Sequence, residues 1–63
     1  MAEVQVYHYI RQSRQGEIKA LGTIVNYIKP DRDAGEFTGA YEIRDISSHA
    51  IHEVDERDVW PVK

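Results

Sequence analysis

The sequence predicts an all-β fold, a small five-stranded barrel built as a meander, with residues 1–63 forming one domain. Three observations lead there. Leu occurs once while Ile and Val together occur thirteen times, and β-branched side chains fit a pleated sheet better than a helix. Several stretches alternate apolar and polar residues, the period of a half-buried strand. Turn-forming clusters of Gly, Pro, Asp and Ser separate those stretches.

The elements follow in order. Val4-Gln5-Val6-Tyr7-His8-Tyr9-Ile10 alternates, with Val4, Val6 and Ile10 on one face and Tyr7 and Tyr9 on the other. Ser13-Arg14-Gln15-Gly16 reads as a turn. The segment from Glu17 to Lys29 admits two readings. Ile18, Leu21, Val25 and Ile28 fall at helical spacing ahead of Pro30, which would give an α+β fold with a helix at 17–29. The run Thr23-Ile24-Val25 and the central Gly22 favour a long strand instead, with Gly22 as the bend that lets it serve two sheets. Pro30-Asp31-Arg32-Asp33-Ala34-Gly35 is a loop. Phe37, Tyr41 and Ile43 alternate along a third strand that Asp45 to Ser48 ends, and His49 to Val54 makes a fourth. Asp55-Glu56-Arg57-Asp58 reads as one helical turn before a short strand, Val59-Trp60-Pro61-Val62. Pro61 lacks an amide donor, so that strand belongs at an edge.

Composition excludes several classes. Apolar residues are 41% and charged residues 30%. Ile, Val, Leu and Phe make up 15 of the 63 residues, above the roughly one-fifth below which chains stay disordered. A chain this short buries only about 60% of its unfolded surface. Without cysteine it has neither disulfides nor thiolate metal sites to support its core. No apolar run is long enough to span a membrane, and Met1-Ala2-Glu3-Val4 leads directly into alternating sequence, so the expected location is cytoplasmic. The net charge of −3 disfavours strong non-specific binding to nucleic acid. The charge is uneven: residues 1–32 carry +2 and residues 33–63 carry −5.

A meander with a single turn before a short final strand resembles the SH3-like small barrels, including Tudor-type and KOW-type domains. Gly22-Thr23-Ile24-Val25, Tyr41-Glu42-Ile43 and the closing segment Val54 to Val62 carry the resemblance. An OB-like or cold-shock-like barrel is the competing one, because Gly22 to Ile28 and Gly35-Glu36-Phe37 stand in similar order. The lysine- and phenylalanine-rich stacking strand of cold-shock proteins is missing, so base stacking is not implied. Such barrels host unrelated activities, and the resemblance implies a fold rather than a function.

The residues themselves offer little catalytic chemistry. Ser47-Ser48-His49 places a base beside hydroxyls, but neighbours in a turn point apart. His49 and His52 stand three apart, and in a strand such residues face opposite sides, a poor arrangement for one ion. Asp31-x-Asp33-x-Gly35-Glu36 is only a fragment of a calcium loop. No catalytic residue, cofactor or metal is therefore expected. Trp60, Phe37 and Tyr41 are expected to fill the thin core. Tyr7 and Tyr9, opposite the Val4/Val6/Ile10 face, are expected as an exposed binding or self-association surface. Arg11, Arg14 and Lys19 near the first turn, and Lys29 and Arg32 at the long loop, complete the candidate partner-binding set.

The leading expectation is a non-enzymatic interaction module that binds a protein partner or itself, since oligomerisation often completes a marginal core. One alternative is a weak nucleic-acid-binding barrel using the five basic residues with Tyr7 and Tyr9. Another is an acidic decoy that presents Asp55, Glu56 and Asp58 to a DNA-binding enzyme.

Overall fold

The computed structural model describes residues 4–62. Five strands form one antiparallel sheet: β1 Tyr7–Ser13, β2 Gly16–Ile28, β3 Ala40–Asp45, β4 Ile51–Asp55 and β5 Val59–Pro61. Their order is β4-β3-β2-β1-β5, and the sheet is not closed. The other regular elements among the described residues are two short 3-10 turns, Arg32–Ala34 and Glu56–Asp58.

The β1–β2 hairpin turns where the sequence places it. Ser13 pairs with Gly16, and Gly16 has φ 104°, a left-handed conformation that costs glycine nothing. The Ser13 hydroxyl donates to the Gly16 carbonyl at 2.9 Å and accepts from the Gln15 amide at 3.1 Å.

The segment between Glu17 and Lys29 is strand, not helix. Gly22 is the residue at which β2 changes partners, paired with Tyr7 on one side and Asp45 on the other. A Cβ there would lie 2.7 Å from the Arg44 carbonyl oxygen, so the close approach of β3 demands glycine. The register shifts between Ile24 and Asn26, and the bulge at Val25 accounts for the misleading spacing. Ile18 shares a face with Arg11, and Ile24 with Ile43, whereas Leu21 pairs with His8 and Ile28 with Ala40 on the opposite face.

The core lies on the inner face. Tyr9, Ile43 and Val54 are its buried hydrophobics, with Ala20, Ile24, Tyr41 and Val59 packed against them. Full burial of each such side chain contributes about 1.5–3 kcal/mol. Tyr9 stands opposite Ala20 on one side and Val59 on the other. The small alanine leaves space for the ring, and that space turns the odd-numbered face of β1 inward.

Several expectations need correction. Tyr9 is fully buried rather than exposed, and Tyr7 is half-buried, whereas Val4, ahead of β1, is 75% exposed. Trp60 pairs with His8, which puts it on the outer face, half-exposed, while Val59 takes the core position. Phe37 precedes β3 instead of starting it and is 95% exposed. Tyr41 packs on the core as expected. The fourth strand starts at Ile51, because His49 adopts φ 63° within the turn. Pro61 does lie on an edge strand. Among the described residues no helix is long and apolar enough to cross a membrane.

Candidate functional site

The sheet brings chemistry together in three places, of which the inner one is structural. The Tyr9 hydroxyl donates to Asp45 Oδ2 at 2.5 Å. Asp45 Oδ1 accepts the amides of Ser47 and Ser48 at 2.8 and 3.1 Å, so one carboxylate ties the β3–β4 turn to the middle of β1. Tyr9 and these two amides hold the Asp45 carboxyl down to about 2. Burial, reinforced by the adjacent carboxylate, pushes the Tyr9 phenol up to about 12. Arg11 lies close enough to favour both charged forms, and its buried Nε has no hydrogen-bond partner.

The second place is the outer face beside the β5 edge. His8 and Trp60 stack with ring centroids 5.5 Å apart and planes at 29°. Lys19 Nζ sits 5.4 Å from the centre of the Trp60 ring, a cation–π contact contributing about 0.5–1 kcal/mol at an exposed site. The registers Trp60–His8–Leu21 and Ile10–Lys19 place these five side chains on one face.

The third place is the other end of the same face. Asn26, Glu42 and Glu53 form one cross-strand row, and Ile28, Ala40 and Asp55 form the next. Asn26 Nδ2 donates to Glu42 Oε1 at 2.9 Å. A shallow cavity of about 300 Å³ opens there, lined by Ile28, Phe37, Ala40 and Glu53 among others.

The candidate binding residues do not form one patch. Arg14 lies in the β1–β2 turn, while Lys29 and Arg32 lie beyond the far end of β2. The thirteen residues of β2 separate the two groups. Arg11 and Lys19 fall on opposite faces, since Arg11 pairs with Ile18 and Lys19 with Ile10.

Of the acidic residues near the chain end, Asp55 and Glu56 are engaged internally, whereas Asp58 is exposed. Asp55 Oδ1 accepts the Arg57 amide at 2.9 Å and the Arg57 guanidinium at 3.1 Å, and Asp55 Oδ2 accepts the Thr38 hydroxyl at 2.9 Å. These contacts, the Arg57 amide foremost, hold the Asp55 carboxyl down to about 2. Glu56 accepts the Gly39 amide at 3.0 Å and the Tyr27 hydroxyl at 3.3 Å. Asp31 likewise caps its own turn, accepting the amides of Asp33 and Ala34, while Glu36 accepts the Asp31 amide. Both segments are self-satisfied Asx-type turns.

The histidines are dispersed. His52 contacts Tyr9 on the inner face at 6.0 Å between centroids, His8 stacks on Trp60 outside, and His49 lies in a turn. Among the described residues no group of three His, Cys, Asp or Glu side chains stands placed to hold a metal ion. Sequence reasoning missed the roles of Asp45, Asp55, Glu42 and Glu53. Asp45-Ile46-Ser47-Ser48 carries an Asx-turn signature that could have found the first, but the Glu42–Glu53 pairing depends on register and has no local signal. Comparison with protein-family models, curated proteins and solved structures finds no match.

Proposed function

We propose that this chain is a non-enzymatic interaction module of the SH3-like small-barrel pattern that works by binding a protein partner or a second copy of itself. The order β4-β3-β2-β1-β5, with a 3-10 turn between β4 and β5, supports the fold part of that reading. A long β2 that changes partners at Gly22 supports it further.

One observation carries the functional part. Among the described residues the buried hydrophobics are Tyr9, Ile43 and Val54, whereas Phe37, Ile51, Ile46, Val25, Ile28, Leu21 and Trp60 are all at least 36% exposed. Single exposed apolar residues are ordinary, but a protein that leaves more large hydrophobics outside than inside has surface suited to another molecule. Phe37, at 95% exposure, is the clearest anchor, since buried aromatic anchors dominate many interfaces.

The test is affinity capture from a nuclease-treated lysate with the wild-type chain and with Phe37→Ser and Ile51→Ser, alongside thermal melting over a dilution series. The reading expects a nuclease-resistant protein that the variants lose, or a Tm that falls on dilution. Capture of only nuclease-sensitive material, with a concentration-independent Tm, overturns it.

A further inference from the structure

We propose that the first half of β2 is a docking edge for a second copy of this chain, the two edges pairing antiparallel about Ile18 so that Glu17 of each stands opposite Lys19 of the other. This rests on the interaction-module reading and names its partner.

β2 has a strand on both sides only at Gly22. Gly16 to Gly22 pair with β1, and pairing with β3 begins at Gly22, so among the described residues no strand covers the other edge from Gly16 to Leu21. Alternation along the strand decides which backbone groups that edge offers. The Leu21 carbonyl points away from β1, since it accepts the Ile46 amide at 3.1 Å. Lys19 and Glu17, at the next alternate positions, point the same way. Their amides and carbonyls are a template for another strand. Both residues are exposed, and Ile18 between them is half-buried. A shallow cavity of about 390 Å³ lies along the edge, lined by Lys19, Ala20, Leu21, Ile46 and Ser47 among others, and gives the end of an added strand room.

The edge is its own complement. A two-fold axis through Ile18, perpendicular to the sheet, sets Glu17 against Lys19 on either side of it, Ile18 against Ile18 and Gly16 against Ala20. Each Glu17–Lys19 pair joins two residues whose backbone groups both point outward, so it exchanges a full pair of ladder hydrogen bonds. Its side chains project from the same face as directly opposed opposite charges, a stabilising cross-strand pair. Moving the axis by one residue sets Lys19 against Lys19 or Glu17 against Glu17, so charge selects this register. Within one chain neither group is committed elsewhere by an ion pair, since among the described residues the one salt bridge is Arg57–Asp55.

The arrangement is isologous, as in most homodimers, and it joins the β5-β1-β2 strands of both copies into one continuous sheet. The other edges suit a second copy less. β5 ends on Pro61, which has no amide to donate. A two-fold pairing centred on β4, Ile51–Asp55, sets Glu53 against itself, and like charges directly opposed destabilise a sheet.

The experiment is sedimentation velocity from micromolar to millimolar concentration at low salt on wild type, Glu17→Lys, Lys19→Glu and a 1:1 mixture of the two variants, with amide hydrogen exchange of the wild type at both ends of that range. Wild type is expected to dimerise and each variant alone, now opposing like charges, to associate roughly tenfold more weakly or worse. The mixture is expected to recover association, because every opposed pair is again of opposite sign. The amides of Glu17 and Lys19 are expected to exchange more slowly as concentration rises. Both positions are exposed, circular dichroism checks that the variants fold, and recovery on mixing requires that they do. A dimer indifferent to either substitution, variants that stay monomeric when mixed, or a dimer that leaves those two amides unprotected overturns this edge while leaving self-association intact. A strictly monomeric wild type also overturns it, and the nuclease-treated capture then decides separately whether a different protein is the partner.

Discussion

Tyr9→Phe removes one oxygen atom from the centre of the sheet and leaves the ring in place. The lost hydrogen bond runs to an ionised acceptor, Asp45, and bonds to charged groups contribute about 1.5–3 kcal/mol net. Acid linkage gives an independent figure. Asp45 is held at about 2 rather than 3.8 and is only 7% exposed, so at about 1.4 kcal/mol per unit its full set of partners contributes about 2 kcal/mol at neutral pH. Tyr9 is the largest of those partners, so the expected loss is about 1.5–2 kcal/mol. A domain of this size has only about 3–9 kcal/mol in total, and such a loss is readily measured. The assay is urea denaturation followed by the fluorescence of the single tryptophan, Trp60, repeated across pH. Because folding depresses the Asp45 pKa, its contribution is present above 3.8 and is lost as pH falls toward about 2. In Tyr9→Phe that acid limb should shrink. Folding raises the Tyr9 pKa, so the phenol's contribution is full below 10 and is lost as pH climbs toward about 12. That alkaline limb should shrink in the variant, leaving the part due to Tyr27, whose phenol is also pushed up by burial and Glu56. A Tyr9→Phe protein within about 0.5 kcal/mol of wild type, the range of ordinary surface changes, with both limbs unchanged, would refute the reasoning.

Gly22→Ala should cost at least the roughly 1–3 kcal/mol of an overpacked core, because the new methyl meets the Arg44 carbonyl, which is backbone and cannot turn aside. Gly16→Ala, with open space around it, should cost only the roughly 1–2 kcal/mol of left-handed strain; a Gly22→Ala urea midpoint equal to that of wild type would contradict the close-approach account. Phe37→Ser should leave the urea midpoint within about 0.5 kcal/mol of wild type, so that any change in capture reflects the surface and not the fold. Short single-stranded DNA should give no saturable anisotropy change at low salt, because the basic groups sit at opposite ends of β2. Binding that weakens steeply with added salt would show that they act together.

The strands were legible because their signals are local. The scarcity of Leu, the turn chemistry at Ser13–Gly16, the asparagine-like capping by Asp31 and Asp55, and Pro61 at an edge each depend on a few neighbouring residues. The helical spacing of Ile18, Leu21, Val25 and Ile28 misled for an identifiable reason: a bulge at Val25 shifts the register, so residues on different faces mimic a single stripe. Phe37 misled because hydrophobicity reports what a side chain prefers, whereas the loop before β3 gives it nothing to pack against.

The face that turns inward was not legible, and the candidate site depends on that choice. Alternation along β1 separates Tyr7 and Tyr9 from His8 and Ile10, but period two has no sign; reversing the face satisfies the pattern equally well. The sign is set by partners distant in sequence: Ala20 and Val59 flank the Tyr9 ring, and Asp45, thirty-six residues away, accepts its hydroxyl. Once Tyr9 is inside, pairing leaves Trp60 no choice, because it stands opposite His8 on the other face. Trp60 outside then gives Lys19 a ring to rest on and leaves the Glu42–Glu53 row at the far end of that same surface. The tyrosine platform expected from the sequence and the tryptophan–lysine platform found are thus alternative outcomes of one binary choice, decided by a single buried hydroxyl and the carboxylate that receives it.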